Sequence, residues 1–481
     1  MTSRERTRAI RAAIVALALA AVRCSGTAPI VDGPGAEMRG LTGAHTRAVW
    51  VQGDGSDPRA SGVELVLMGF DSHDGKGERV ILGTPGSYVQ PLLTPRGDRI
   101  VFSSRAIPGP PEVFVVNWDG TGLRTLASAF ALDVWEHPEN GSEWVYVGTD
   151  LGKLGFAAVS RFPIDAPDKR EVVWNKSVVG LDGFRVSADG RYASGLCPWP
   201  DATLAELPNG AMTKLGEGCW TSLINARGLL FWYFDGAHRN LTMVDIESGA
   251  RWMVNINHAE GFDGAEVYHP RWSNHPRFLT ISGPYNQGGP NQARTGGKQV
   301  EIYIGRFSED FTKVEAWARV TNNSGGDSMP DVWIDLPDSP YPSRPSGRIG
   351  PSHSRVDAET AARPGGESAA GRLVVSVRLD RPGPIPTPQE ILPYRHALVV
   401  NEYTVVEVLQ GAYPDRRIQV AQWAIRNSRE LADARKIAGA ASTLTVDKYD
   451  AHPELEGERL ISDSAASTLP LYYDVSQPQL R

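Results

Sequence analysis

The chain has 481 residues, 22% of them charged and 41% hydrophobic, with 50 glycines, 35 prolines and a net charge of −7. Such a mixture describes a soluble globular chain with many tight turns, and the lack of a basic cluster excludes nucleic acid as a partner. The length gives room for one large domain and a smaller one.

At the N-terminus Arg4, Arg6, Arg8 and Arg11 precede an apolar run from Ala12 to Val22. That run is too short to span a bilayer as a mature helix, and its flanks are those of an export signal, here residues 1–24. Cys24 stands where a bacterial lipoprotein carries its acylated cysteine, although Arg23 replaces the small residue usual before it. Lipidation at Cys24 and plain cleavage near Ala20 both stay open, so the protein is expected in the periplasm or anchored to the outer membrane. Any membrane contact would run through that lipid. Residues 25–46 read as a linker.

From Arg47 the chain becomes repetitive. RAVWVQGDG (47–55) and ELVLMGFD (64–71) match the second and third strands of a unit whose opening strand is missing. A complete unit follows. LLTPRGDRIVFSS (92–104) gives two apolar strands around a Pro-Arg-Gly-Asp turn, and EVFVVNWDGTGLRTLA (112–127) gives two more around a Trp-Asp-Gly turn. Variants recur at 137–150, 184–195, 228–249 and 269–284, and EIYIGRFSEDFTKVEAWARVT (301–321) closes the last full copy. MPDVWIDL (329–336) then supplies the missing opening strand. Joined to Arg47 onward, it completes an all-β, six-bladed propeller over 47–336, closed by strands from both ends and with no free sheet edge. Trp50, Trp118, Trp135, Trp144, Trp220, Trp232, Trp272 and Trp333 are spread through the copies, as rings that fill the wedges between blades would be.

The repeat resembles that of the TolB-type propellers of bacterial envelopes, with its Ser-Pro-Asp-Gly-like turn and its strand-turn-strand ending in Asp-Gly. The resemblance covers about residues 47–336 and implies the fold. It is weaker as a guide to function, because similar repeats occur in peptidase and lyase propellers.

Residues 337–370 are rich in Pro, Ser, Gly and Ala and form an expected flexible linker. A second β-rich unit occupies 371–481, with strands expected at 371–379, 396–411, 416–425, 442–450 and 457–464. These suffice for a small barrel or sandwich. The stretch VVEVLQG ending at Gly411 resembles an element of small extracellular barrels of the OB or netrin-like kind.

Motifs that carry chemistry are scarce. No G-x-S-x-G elbow, HExxH or paired CxxC occurs, so no catalytic residue and no cofactor is assigned. Acidic loops at Asp71, Asp74 and Glu78, and at Asp450, His452, Glu454 and Glu456, read as solvated turns. Cys197 and Cys219, at the end of one blade strand and the approach to the next blade, are expected to form a disulfide after export; buried free thiols are the other reading. His258, His269 and His275 are weak candidates for a metal, since oligogalacturonate lyases resemble this propeller type and hold a divalent cation through histidines. Aligning the copies on their turns puts Gln90, Asp133, Gly183, Thr221, His269 and Met329 at one level, just before the inner strands, where propeller ligands dock. Gln90, Asp133, Thr221, His269 and Met329 are thus the candidate ligand contacts. The expected function is an exported scaffold that binds an envelope protein or a glycan without catalysis. The alternative is a metal-dependent polysaccharide lyase.

Overall fold

The computed structural model describes residues 34–56, 62–105, 110–226, 228–262, 264–285, 297–335, 372–392, 394–455, 457–462 and 469–477. The export signal with Cys24, and the Pro/Ser/Gly linker, lie outside these residues.

Six four-stranded antiparallel sheets follow one another around a ring. Blade 1 is built from both ends of the propeller: Gly326–Asp335 is its innermost strand, followed by His45–Gly53, Leu65–Asp71 and Glu78–Gly86. Arg47 pairs with Trp333, Ala48 with Val332 and Val49 with Asp331, so the expected closure holds in register. It is reinforced inside the sheet, where the Trp50 indole N–H donates to Asp327 Oδ1 at 2.8 Å. Blades 2 to 6 open with the inner strands Val89–Leu93, Phe130–Glu136, Arg185–Val186, Thr221–Asn225 and Glu266–Trp272.

Within the segment read as a linker, Pro34–Thr42 is helical. Proline at the first helical position and Gly43, at a φ of 73°, just past the last bound it. Met38 and Leu41 on its inner face pack with Trp50 and Phe70 of blade 1 and Ile304 and Ala318 of blade 6. The helix therefore lies across the place where the ring is closed.

Blade contacts repeat as the sequence repeats. An Asp-Val-Trp triplet ends the inner strand of blade 3 (Asp133, Trp135) and of blade 1 (Asp331, Trp333). In each, the aspartate Oδ2 accepts the main-chain N–H of the next blade, from Val186 or Leu93, both at 2.8 Å. The tryptophan donates its indole N–H to the turn beyond, at Ala188 O (3.1 Å) or Pro95 O (2.8 Å). Each ring lies on a turn glycine. A Cβ at Gly97 would stand 2.4 Å from the Trp333 ring, and one at Gly190 2.7 Å from Trp135.

The C-terminal unit is a closed five-stranded barrel of Leu373–Arg381, Ala397–Gln410, Arg417–Arg426, Ala441–Lys448 and Leu471–Asp474. In chain order the strands pair first to second, second to third, third to fifth, fifth to fourth and fourth to first. Only the third–fifth pairing is parallel. That is the strand order of an OB-type Greek-key barrel. The ring is closed by Leu471–Asp474, a strand too short to stand out in the sequence. Arg459–Ile461, within the segment expected as the fifth strand, instead adds outside the ring beside Ala397. This edge strand docks the barrel on blade 5. Leu460 N–H donates to Gly236 O at 3.2 Å, and a Cβ on Gly236 would collide with the Glu458 carbonyl. Ile391, Tyr394, Ala397 and Ile461 share one apolar core with Trp232, Phe234 and Trp272, which makes barrel and propeller one packed body.

Gly97→Ala is expected to cost about 2–4 kcal/mol, the sum of φ strain and overpacking against Trp333. Gly249→Ala, at a φ of 72° with nothing within 4 Å, should cost only about 1 kcal/mol. Urea midpoints compare the two, and equal losses would count against the tryptophan–glycine contact. At the domain seam, burial and then Glu217 push the Glu458 carboxyl up to about 7. Its folded value lies above its unfolded one, so the native chain holds the proton longer and stability falls as pH rises from about 4.5 to about 7. Glu458→Gln should flatten that slope, read from thermal midpoints across the same range.

Candidate functional site

The inner strands run along the channel, and their C-terminal ends open into a cavity of about 590 Å³. Its floor is a set of charges from four blades. Arg271 of blade 6 reaches across the axis and donates from Nη2 to Asp133 Oδ1 at 3.0 Å and from Nε to Asp331 Oδ1 at 2.9 Å. Arg185 of blade 4 donates to Trp272 O at 3.3 Å and Ser273 O at 3.1 Å, with Nε 4.0 Å from Asp133 Oδ2. Both aspartates thus spend one oxygen on the next blade and the other on Arg271. Burial raises the Asp133 carboxyl, and Arg185, Arg271 and the Val186 N–H act against it.

The wall above is apolar and amide-rich. Pro95, Pro138 and Pro276 lie on turns around the opening, with Asn225 and Asn274 between them. Asn274 exchanges two hydrogen bonds of 2.8 Å with the Ile334 main chain, whereas Asn225 Oδ1 is buried without a hydrogen-bond partner. His275 also lines the cavity, its ring tilted against that of Phe278, and burial followed by Arg277 pushes its pKa down to about 4. It is therefore neutral at physiological pH.

Of the ligand contacts expected from sequence, Asp133 lines this cavity, while Gln90, Thr221, His269 and Met329 lie toward the other end of the inner strands. There they make hydrogen bonds with one another and with their neighbours. Gln90 N–H meets Met329 Sδ at 3.4 Å, Gln90 Nε2 donates to Leu181 O at 3.1 Å, and Thr221 Oγ1 donates to Gly183 O at 2.8 Å. His269 Nδ1 is 2.8 Å from Ser282 Oγ. Gln90, His269 and Met329 all take a positive φ, of 46°, 53° and 53°, each at a bulge of its inner strand. The equivalent of Asp133 in the closing strand is Asp331, two residues beyond Met329, for each aspartate directly follows a one-residue bulge of its strand. The recurring Asp-Val-Trp triplet is the signal that identifies it. Arg271 and Arg185 left none, for no repeat position is shared by the two guanidiniums and their distant partners.

The expected disulfide is not formed: Cys197 and Cys219 are both buried and carry no disulfide bond. Cys219 Sγ instead faces His238 Nε2 at 3.3 Å. His258 stands apart from the mouth, with Nε2 3.0 Å from Val314 O. Among the described residues no group of three or more His, Cys, Asp and Glu is placed to hold a metal ion. The acidic loops are tied up locally, Asp71 by Arg47 and His45, and Glu454 by His452.

No protein-family model matches the chain, and no curated protein does. Among solved structures it is similar to TolB from Acinetobacter baumannii, at 13% identity over 62% of this chain and 70% of that one, with a TM-score of 0.42. A protein described as TolB from Agrobacterium tumefaciens gives 12% identity, 59% and 91% coverage and a TM-score of 0.38. An oligogalacturonate lyase in complex with manganese gives 13% identity, 48% and 64% coverage and a TM-score of 0.29. These likenesses concern the propeller fold and say nothing of activity.

Arg271→Leu should strand two buried carboxylates and cost about 3–5 kcal/mol at neutral pH. The loss should shrink on acidification toward about pH 4, because Asp133, whose carboxyl burial already raises, then takes up a proton that the unfolded chain binds less readily. Urea unfolding of the variant at both pH values measures this; a loss independent of pH would point to packing instead.

Proposed function

We propose that the protein is an exported envelope scaffold whose propeller takes an envelope protein or a glycan at this mouth and performs no chemistry there. What supports the reading is the state of the mouth's ionisable groups. Asp133 and Asp331 are each bound by a guanidinium and a main-chain N–H, so neither is free to act as a base, a nucleophile or a cation ligand. A rigid, charge-balanced floor beneath prolines and amides favours a neutral polar ligand held by shape and hydrogen bonds. The lyase alternative asks for a cation beside an unengaged base. The histidines that suggested it, His258, His269 and His275, make separate contacts on different parts of the fold.

A photo-crosslinking residue placed at Asn274 in the living cell should capture the ligand, and one at Val172, exposed on the outer strand of blade 3, should not. For a glycan, peptidoglycan fragments should raise the melting temperature of the parent protein and not of an Asn225→Trp variant that fills the mouth. Capture at Val172 alone, or a melting shift that survives Asn225→Trp, would move the site away from the channel.

A further inference from the structure

Where the barrel meets the propeller, five polar side chains come together out of water. Cys219, His238 and Glu266 belong to the propeller; Tyr394 and Arg459 belong to the C-terminal unit. Cys219 Sγ lies 3.3 Å from His238 Nε2, and His238 Nδ1 lies 3.3 Å from Glu266 Oε2. Glu266 accepts two bonds from Arg459 Nη2, at 2.8 and 2.9 Å. Burial pushes the Glu266 carboxyl up, yet Arg459 and then His238 overrule it and hold it at about 2. A carboxylate at Nδ1 fixes the proton on that nitrogen and leaves Nε2 to accept from the thiol. With the proton on Nδ1, Arg459 Nη1, which can only donate, does not hydrogen-bond that nitrogen although it stands 3.4 Å away, and Tyr268 and Phe234 pack against the imidazole. This is the connectivity of an activated cysteine, in which a base faces the sulfur and an orienting acid faces the base.

All three members come from the propeller, and what covers them comes from the other domain. The Tyr394 hydroxyl rests directly on Cys219 Sγ and lies 2.9 Å from His238 Nε2. Half-buried Trp199 packs edge-on against Tyr394, with ring centroids 5.4 Å apart. We propose that Cys219 is a thiol–disulfide exchange site for small disulfides, which the C-terminal domain closes by seating Tyr394 on the sulfur.

In the exchange, the Cys219 thiol gives its proton to His238 Nε2 and its sulfur attacks one sulfur of the incoming disulfide. The old S–S bond breaks, a new one forms at Cys219, and the departing thiolate takes the proton from His238. No further oxidant is consumed. Any group on Sγ would fill the space of the Tyr394 oxygen, so a modified Cys219 and a seated Tyr394 exclude each other. The linkage is reciprocal: a docked barrel protects the thiol, and an adduct loosens the barrel's contact. The mouth of the channel has no part in this, so the two proposals stand or fall separately.

The test uses the full chain with Cys24→Ser and Cys197→Ser, leaving Cys219 as the one thiol, and follows the coloured thiolate released from 5,5′-dithiobis(2-nitrobenzoate) with pH. The parent should react slowly. Tyr394→Phe keeps the ring and removes the oxygen over the sulfur; it should react on the order of tenfold faster, with a pH midpoint below the ordinary thiol value of about 8.5. Adding His238→Gln should return that midpoint to about 8.5 or above. A Tyr394→Phe protein that reacts no faster than the parent, or whose midpoint is that of an ordinary thiol, overturns the proposal without need of the second variant.

Discussion

The propeller is held by a cation in its axis. Arg271 has no partner near it in sequence; its two carboxylates come from blades 3 and 1, and it meets them where the inner strands end. Removing any one of the three would leave a charge in a place water reaches poorly, so the three positions constrain one another. Each aspartate also caps the main chain of the blade that follows. The same carboxylates that neutralise Arg271 therefore set the spacing of blades 1 to 2 and 3 to 4.

Around that axis the blades add up by repetition. Trp135 and Trp333 fill equivalent wedges, and both turns beneath them need glycine because the ring lies where a Cβ would be. Closure in blade 1 removes the free edges that a linear row of sheets would present. The helix Pro34–Thr42 then covers the seam where the two ends meet, a place with no neighbouring repeat to bury its apolar face.

Rigidity of this kind suits recognition better than chemistry at the mouth, since a group already bound on all sides cannot exchange protons with a substrate. The interface with the barrel differs in character. There a sulfur, an imidazole and a carboxylate are brought together by the propeller and shut away by a tyrosine and an arginine from another domain. A buried ion pair such as Arg459–Glu266 is weak evidence of stabilisation, because desolvation offsets much of its attraction. It fixes instead where the edge strand Arg459–Ile461 must sit.

The sequence alone determined the repeat, the number of blades and the join between Met329–Leu336 and Arg47, because period-two apolar strands and turn residues act locally and recur. It likewise marked the C-terminal unit as a separate β domain. Its barrel closure through Leu471–Asp474 was not legible, since four residues carry too little pattern to name a strand. The mouth was half legible: Asp133 was among the expected contacts, but its counterpart Asp331 was missed, because the closing strand breaks off without the turn by which the other copies align. Arg271, Arg185 and the surroundings of Cys219 were decided only by the tertiary structure. Their partners lie far away along the chain, on different blades or in another domain, and a charge pair or a hydrogen bond across such a span leaves no spacing in the sequence to be read.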